Sequence, residues 1–362
     1  MDAWMIYGAN GYTGQLIAEL ARERGLKPIL AGRTREKLAP LAARLGLETR
    51  AFSLDDAAAL RAGLAGVKLV LHCAGPFSVT SRPMVAACLE AGAHYLDITG
   101  EMAVLAAVFE QHEAAQAKKV SLLSGVGFDV VPSDCLALLL REGLPGAVRL
   151  ELAFATSGRP SAGTLKTMIE GLPMGSWVRR GGKLERIADG SLVRRVAFAD
   201  RERDCMAIPW GDLASAWRST AIPDITVYMG APKSMIRASR LRRFYAPLLG
   251  LKLVQRFLQA RVEKNVRGPS AEDRARGSVQ LWGRAEDASG RALEGWMTTP
   301  EGYAFTAAAA LECALRTLAG KVPPGAWTPA QAFGSGFAAQ LPGVTVRPLV
   351  PVIDGARREA AR

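Results

Sequence analysis

The run Trp4-Met5-Ile6-Tyr7-Gly8-Ala9-Asn10-Gly11-Tyr12-Thr13-Gly14 decides how the rest of the chain is read. A short apolar segment enters a turn whose glycines follow a G-x-x-G-x-x-G spacing. Behind it Leu16, Ile17, Leu20 and Ala21 recur at helical intervals, opposite Glu19, Arg22, Glu23 and Arg24. Strand, glycine turn and helix together present backbone N–H groups and the positive end of a helix, the two things a pyrophosphate needs. A Cβ in such a turn would hold the phosphates away from the backbone. The spacing departs from the usual G-x-G-x-x-G, so the turn taken alone also fits a flexible strand-to-helix connection. Its candidate cofactor-binding residues are Gly8, Asn10, Gly11, Tyr12, Thr13 and Gly14.

Further strand and helix patterns alternate up to about residue 141. Strands are expected at Lys27–Ala31, Thr49–Phe52, Lys68–Cys73, His94–Ile98 and Val120–Ser124, with helices between them, one running from Pro83 to Ala91. Repeated strand-helix order is the mark of a parallel sheet. In such sheets ligands lie at the carboxyl ends of the strands. The second strand ends in Gly32-Arg33 without the carboxylate that would bond a ribose 2′-OH. Arg33, with Arg35 and Lys37 behind it, instead suits a 2′-phosphate, which a guanidinium can hold with two hydrogen bonds. NADP(H) is therefore the expected cofactor, and a solvated basic helix start is the alternative. Thr34 stands where an N-cap would. Asp55 can accept from an adenine amino group or cap the next helix. Ala74-Gly75-Pro76 closes the fourth strand and leaves its end open, and Gly127 lies in a second glycine turn.

From Ala147 to Thr156 the period becomes two, the pattern of a half-buried antiparallel strand. More strands are expected at Leu192–Phe198, Ile225–Met229, Gly277–Ala285 and Ala292–Thr298. The expected fold is α/β: a Rossmann-type doubly wound parallel sheet (residues 1–145), then a second α+β domain with a mainly antiparallel sheet (146–299). That second unit would form the substrate wall and a homodimer surface. Helices within 300–345, including one starting at Gly325-Ala326-Trp327, would follow, and 346–362 would be a loose tail.

Bulk properties narrow the function classes. The chain has 362 residues, enough for a large core and two domains. Five scattered cysteines without a C-x-x-C pair, and three histidines, argue against a disulfide framework and a metal centre. No signal peptide or membrane-length apolar run is visible, so a cytoplasmic location is expected. The net charge is +12, yet no nucleic-acid-binding signature accompanies it. Residues 235–262 interleave apolar side chains with Arg237, Arg240, Arg242, Arg243, Lys252, Arg256 and Arg261. Such a segment can lie on the inner face of an anionic membrane, dock an acidic acyl carrier protein, or form an ordinary amphipathic helix. Pro247 and Gly250 would break it into two pieces.

Several segments together resemble the saccharopine dehydrogenase-like NADP-binding oxidoreductases, nearest the branch with trans-acting enoyl reductases of polyketide-type lipid synthesis. They are Gly8–Gly14, Ala31-Gly32-Arg33, Cys73–Phe77, His94–Glu101, Gly127–Asp134, Gly268-Pro269-Ser270 and Gly302–Ala307. The resemblance implies an NADP(H) domain, hydride transfer, and a C-terminal helix packed back on that domain. The substrate it implies is a small molecule or acyl chain, with amino-acid C–N chemistry as the alternative. A non-catalytic NADP-binding or lipid-associated protein is a third reading. Hydride transfer needs a proton donor at the sheet's carboxyl edge. Tyr95, Asp97, Glu101, Asp129, Ser133 and Asp134 stand there, and Tyr95 and Asp129 are the catalytic candidates. Tyr95 can equally be a packing residue, and Ser133 and Asp134 can equally be helix caps.

If Arg33 reads the 2′-phosphate, Arg33→Asp weakens NADPH binding far more than NADH binding in fluorescence titrations. Equal losses would remove Arg33 from that role.

Overall fold

The computed structural model describes residues 3–156, 158, 160–171, 174–242, 251–266 and 268–352. The first strand, β1 (Trp4–Tyr7), is buried along its whole length and pairs in parallel with two neighbours. Successive side chains point to opposite faces. Trp4 and Ile6 therefore enter one apolar core, and Met5 and Tyr7 enter another. Around β1 stand β2 (Ile29–Gly32), β3 (Thr49–Ala51), β4 (Leu69–His72), β5 (His94–Asp97) and β6 (Ser121–Leu123) in the order β3-β2-β1-β4-β5-β6. The order reverses between β1 and β4. That switch point opens a crevice above the strands' carboxyl ends.

The helices between these strands are α1 (Tyr12–Glu23), α2 (Arg35–Leu45), α3 (Ala57–Gly63), α4 (Phe77–Ala91), α5 (Met102–Phe109) and α6 (His112–Ala117). Pro83 lies inside α4, which starts at Phe77 instead of at Pro83 as expected. Thr34 holds the N-cap position of α2, but its side chain makes no capping bond.

After β6, α7 (Val131–Gly143) turns toward a second, ten-stranded sheet. Its strands are β7 (Ala147–Thr156), β8 (Ser176–Arg180), β9 (Lys183–Ile187), β10 (Val193–Ala197), β11 (Glu202–Ala207), β12 (Asp224–Gly230), β13 (Ser278–Asp287) and β14 (Ala292–Pro300), with two short strands near the end of the chain. All pairings are antiparallel except β7 with β12. β7 is thus central, parallel on one side and antiparallel on the other, so most of it is buried where strict alternation was expected. β8, β9 and β11 were not anticipated, because runs such as Lys183-Leu-Glu-Arg-Ile are exposed and lack an apolar period. α7 fills the space between the two sheets. A Cβ on Gly283 would meet Leu140 at 2.7 Å, and one on Gly295 would meet Leu136 at 3.0 Å. Those glycines let helix and strand touch, and one apolar core runs through both halves.

Helices α8 (Ala162–Gly171), α9 (Asp212–Thr220), α10 (Lys233–Arg240), α11 (Lys252–Asn265) and α12 (Ala271–Arg276) connect the strands of the second sheet. The expected break at Pro247 and Gly250 lies outside the described residues. α13 (Gly302–Leu318) then packs along α1 and over β4 and β5. Two expectations for the end of the chain are corrected. Gly325–Trp327 is not a helix start but β15, a seventh parallel strand beside β6. It is pinned there because Ser121 donates to Val322 O and Pro323 O, and Gly325 N donates to Val120 O. The helix, α14 (Pro329–Phe333), begins after it behind a reciprocal Thr328–Gln331 capping box. The tail is not loose through residue 352, since β16 (Thr345–Val346) and β17 (Val350–Val352) both pair with β14.

Asp134 of α7 joins three elements: its buried carboxyl accepts from Ser219 Oγ of α9 at 2.6 Å and from Ala330 N of α14 at 3.2 Å. It is a structural tie, which answers the expectation that it is a donor or a cap. Asp134→Ala orphans those buried donors and costs about 2–4 kcal/mol in urea denaturation.

Candidate cofactor and substrate site

The glycine turn is set by contacts that exclude side chains. Gly8 has φ +85°, and a Cβ on it would lie 2.7 Å from Ala74 N at the end of β4. Its N–H and that of Ala9 both donate to Ala31 O of β2, at 2.8 and 3.1 Å. Gly14 presses helix α1 against the turn, where a Cβ would stand 2.4 Å from Gly8 O. Gly11, in contrast, has an ordinary extended backbone with φ −73°. No side chain caps α1 and no acidic residue occupies its first turn. The amides of Tyr12, Thr13 and Gly14 therefore keep the dipole end open to an anion. Gln15 Nε2 donates to Asn10 O and steadies the turn. The Asn10 side chain lies against Gly32 at the end of β2. Facing the turn, Gly75 is exposed, and a Cβ there would make only ordinary contacts with Phe77, from 3.8 Å. These residues fit a dinucleotide: crowded glycines set the backbone, and open ones leave it bare.

A second corner of the cleft lies at the ends of β1, β2 and β3. Tyr7 donates to Phe52 O at 3.0 Å, and burial pushes its phenol up to about 12. The Arg33 guanidinium and the Asp55 carboxylate both act electrostatically on Tyr7, so all three share this corner. Arg33 and Lys37 are exposed, and neither forms an ion pair among the described residues. The cap of α3 is Asp56, which accepts from Ala58 N and Ala59 N at 3.0 Å each. Among the described residues Asp55 caps no helix; its carboxylate accepts from Ser53 Oγ at 3.3 Å.

The loop after β4 is held from within. Thr80 donates to Ala74 O at 2.6 Å and to Pro76 O at 3.0 Å, which leaves its oxygen to accept from His72 Nε2 at 3.0 Å. Burial lowers the His72 pKa to about 3, so this hydrogen bond is made by a neutral ring. Glu101 reaches across to accept from Phe77 N (2.9 Å) and Ser78 N (2.8 Å) and caps α4. Burial raises its pKa, against the pull of those two amides. Glu101 is therefore a loop clamp, not a proton donor.

The remaining acids separate by their partners. Asp97 is fully buried and accepts from Thr99 N, Ser124 Oγ and Gly125 N at 2.8–3.0 Å. It ties the loop after β5 to the loop after β6. Ser133 donates to Val130 O in its own turn. Tyr95 is wholly enclosed on β5 among Tyr7, His72 and other core side chains, and burial lifts its phenol well above the usual range. The candidate acid Tyr95 is thus a packing residue, because an enclosed strand residue cannot offer its hydroxyl to a ligand in the crevice. Asp129 differs from all of these. Its side chain is partly exposed in the second glycine turn, against Gly100, where a Cβ would lie 2.6 Å from Oδ2. Desolvation pushes its carboxyl up to about 7, and no hydrogen bond to that carboxyl is seen among the described residues.

The second half of the chain closes the site. Tyr12 donates to Pro269 O at 2.5 Å, accepts from Arg274 Nη1 at 2.8 Å and stacks edge-on with Tyr303 at 4.9 Å. Tyr303 in turn accepts from Ser161 N and shares a hydrogen bond with Thr164 Oγ1, each at 2.6 Å, holding the start of α8. Thr306 accepts from Phe128 N at 3.0 Å, and a Cβ on Gly127 would meet its methyl group at 2.9 Å. Glu301 is buried and caps α13 through Tyr303 N and Ala304 N. Tyr303, Thr306 and Glu301 were not among the sequence candidates. Their only signal was the Gly302–Ala307 segment, whose local pattern reads as plain helix.

Comparison with known proteins agrees with this geometry. Residues 4–123 match the family model described as the saccharopine dehydrogenase NADP binding domain. Over 172 residues the chain is 32% identical to a mouse saccharopine dehydrogenase-like oxidoreductase, covering 42% of this chain and 40% of that protein. Over 138 residues it is 35% identical to the trans-acting enoyl reductase of Mycobacterium leprae, covering 36% and 33%. The matches thus span less than half the length of either relative. In fold, the chain resembles apo saccharopine dehydrogenase (L-Glu forming) from Saccharomyces cerevisiae with a TM-score of 0.68. That match covers 98% of this chain and 100% of the other at 12% identity. The likeness thus extends from the NADP-binding domain to the second sheet as a matter of fold.

Gly11 has a φ that any L-residue adopts, but a Cβ there would meet Gly8 O at 3.2 Å, so Gly11→Val costs about 1–2 kcal/mol of folding stability and the chain still folds. It weakens NADPH binding at least about tenfold by placing methyl groups over the helix end. Parallel thermal melts and NADPH fluorescence titrations check both halves of this expectation.

Proposed function

We propose that the protein is an NADPH-dependent reductase of an enoyl group in a lipid- or polyketide-type acyl thioester, with Asp129 as the proton donor. The observation that carries this reading is the Asp129 carboxyl: partly exposed, unpartnered, and poised at about 7 beside the glycine turns. A general acid works best with a pKa near the working pH. The first glycine turn would hold the pyrophosphate, and Arg33 with Lys37 the 2′-phosphate. Gly75 would leave room for the nicotinamide end, while Gly127 packs against Thr306 of α13. Bound NADPH would supply the hydride. The chain's own part is to exclude water with α8 and α13 and to pass the Asp129 proton to the carbon beside the thioester carbonyl. The acyl class is supported by the resemblance to the M. leprae reductase.

A second reading, oxidoreduction at a C–N bond of an amino acid, is favoured by one feature. An open cavity of about 400 Å³ at the ends of β7 and β12 is lined by Arg201, Arg203 and Lys233, which suit substrate carboxylates. Arg203 is already held by Asp200, and Asp204 also lines the cavity, so its positive field is partly offset.

NADPH oxidation assayed against enoyl thioesters and against keto and imino acids separates the two readings, and a chain that binds no NADPH defeats both. The rate of reduction falls as pH rises past about 7, and Asp129→Asn lowers kcat by about 10²–10⁴-fold and abolishes that pH dependence. Stability supplies an independent check. Between its ordinary value near 4 and about 7, Asp129 keeps a proton in the folded chain that the unfolded chain has released. Its contribution to stability therefore declines as pH rises through that window and is flat above it. Relative to wild type, Asp129→Asn gains more in Tm at pH 8 than at pH 5.

A further inference from the structure

Helix α11 has two faces of different character. Val254, Gln255, Leu258, Gln259 and Val262 are half-buried, and this side packs on α8. Gln255 Nε2 donates to Ile169 O at 3.5 Å and Gln259 Nε2 to Glu170 Oε1 at 3.1 Å. The outward stripe, at helical spacing, is Leu253, Arg256, Phe257, Ala260, Arg261 and Lys264, all exposed. Leu253 is 80% and Phe257 63% exposed. The three cations of the stripe form no ion pair among the described residues, and none of its six residues is acidic.

A merely solvated helix face has no use for an exposed Phe and Leu framed by cations. Such a mixture suits a surface that is apolar at depth and anionic at its rim, as a bilayer of acidic phospholipids is. The chain as a whole carries +12. We propose that the outward stripe of α11 docks on an anionic lipid bilayer, with Leu253 and Phe257 entering the headgroup region and Arg256, Arg261 and Lys264 meeting phosphates.

The docking face is coupled to the site by its inner partner. α8, gripped by α11 near Ile169 and Glu170, begins at Ser161 and Thr164 on the Tyr303 hydroxyl, and Tyr303 stacks on Tyr12 of the glycine turn. At the other end of α8, the Glu170 carboxylate lies close enough to Glu101 to raise its pKa. α8 thus runs from the cofactor turn to the loop after β4, across the mouth of the crevice. Docking through α11 sets that mouth toward the bilayer, where an acyl substrate dissolves.

Flotation of the full chain with vesicles of phosphatidylglycerol and phosphatidylcholine, and with phosphatidylcholine alone, tests the inference. The wild type floats with the anionic vesicles and is released by high salt. Leu253→Asp/Phe257→Asp and Arg256→Glu/Arg261→Glu each reduce partitioning at least about tenfold. NADPH binding, measured on the same samples, stays at the wild-type level in both variants, because the stripe touches no site residue. It also separates failure of docking from failure of the redox reading. Wild-type chain that stays unbound, or variants that float as well as wild type, overturn the proposal. So does capture of the stripe by an acidic acyl carrier protein in the absence of any vesicle binding.

Discussion

The close approach of Gly8 to the end of β4 is the constraint on which the site depends. With no Cβ between them, the backbone of the first turn lies against Ala74, and the switch point of the parallel sheet is drawn tight. Gly14 then seats α1 directly on the turn, so the amides at its start share one direction. These contacts admit no larger residue. A phosphate site made of backbone needs the chain to be placed by packing, because no side chain is there to adjust.

Buried polar side chains hold the surrounding loops without taking part in chemistry. Asp97 gathers the loops after β5 and β6, Glu101 caps α4, neutral His72 supports the loop after β4, and Asp134 joins α7 to α9 and α14. The three carboxylates have their capacity used by neighbours, and a used carboxylate is a poor proton donor. Among the sequence candidates Asp129 differs in that its carboxyl has no hydrogen-bond partner among the described residues, and desolvation raises the cost of its charged form.

The cofactor side of the cleft was legible because its determinants are local. Glycine spacing, the apolar run before it, and the absence of a carboxylate after β2 can all be read within about 30 residues, the length of one βαβ unit. Asp55 and Asp56 were not separable in that way, since either can cap a helix and only the observed bonds to Ala58 and Ala59 decide. Tyr95 failed for a different reason. Its strand reads as short and polar, and its enclosure comes from helices and strands distant in sequence. β15 was invisible because Gly325-Ala326-Trp327 has no strand pattern of its own and is placed by the open edge of β6.

By itself the sequence determined the parallel αβ order, the strand-turn-helix that opens the chain and the basic residue at the end of β2, since each follows from residue type and spacing along a short stretch. Only the tertiary structure decided which of the candidate acids lacks hydrogen-bond partners among the described residues, that Tyr95 is enclosed, and that α13 and segment 268–274 close on Tyr12. Those outcomes depend on contacts between residues as far apart as Tyr12 and Tyr303, whose energies are set by packing and desolvation. Neither leaves a trace in the local pattern.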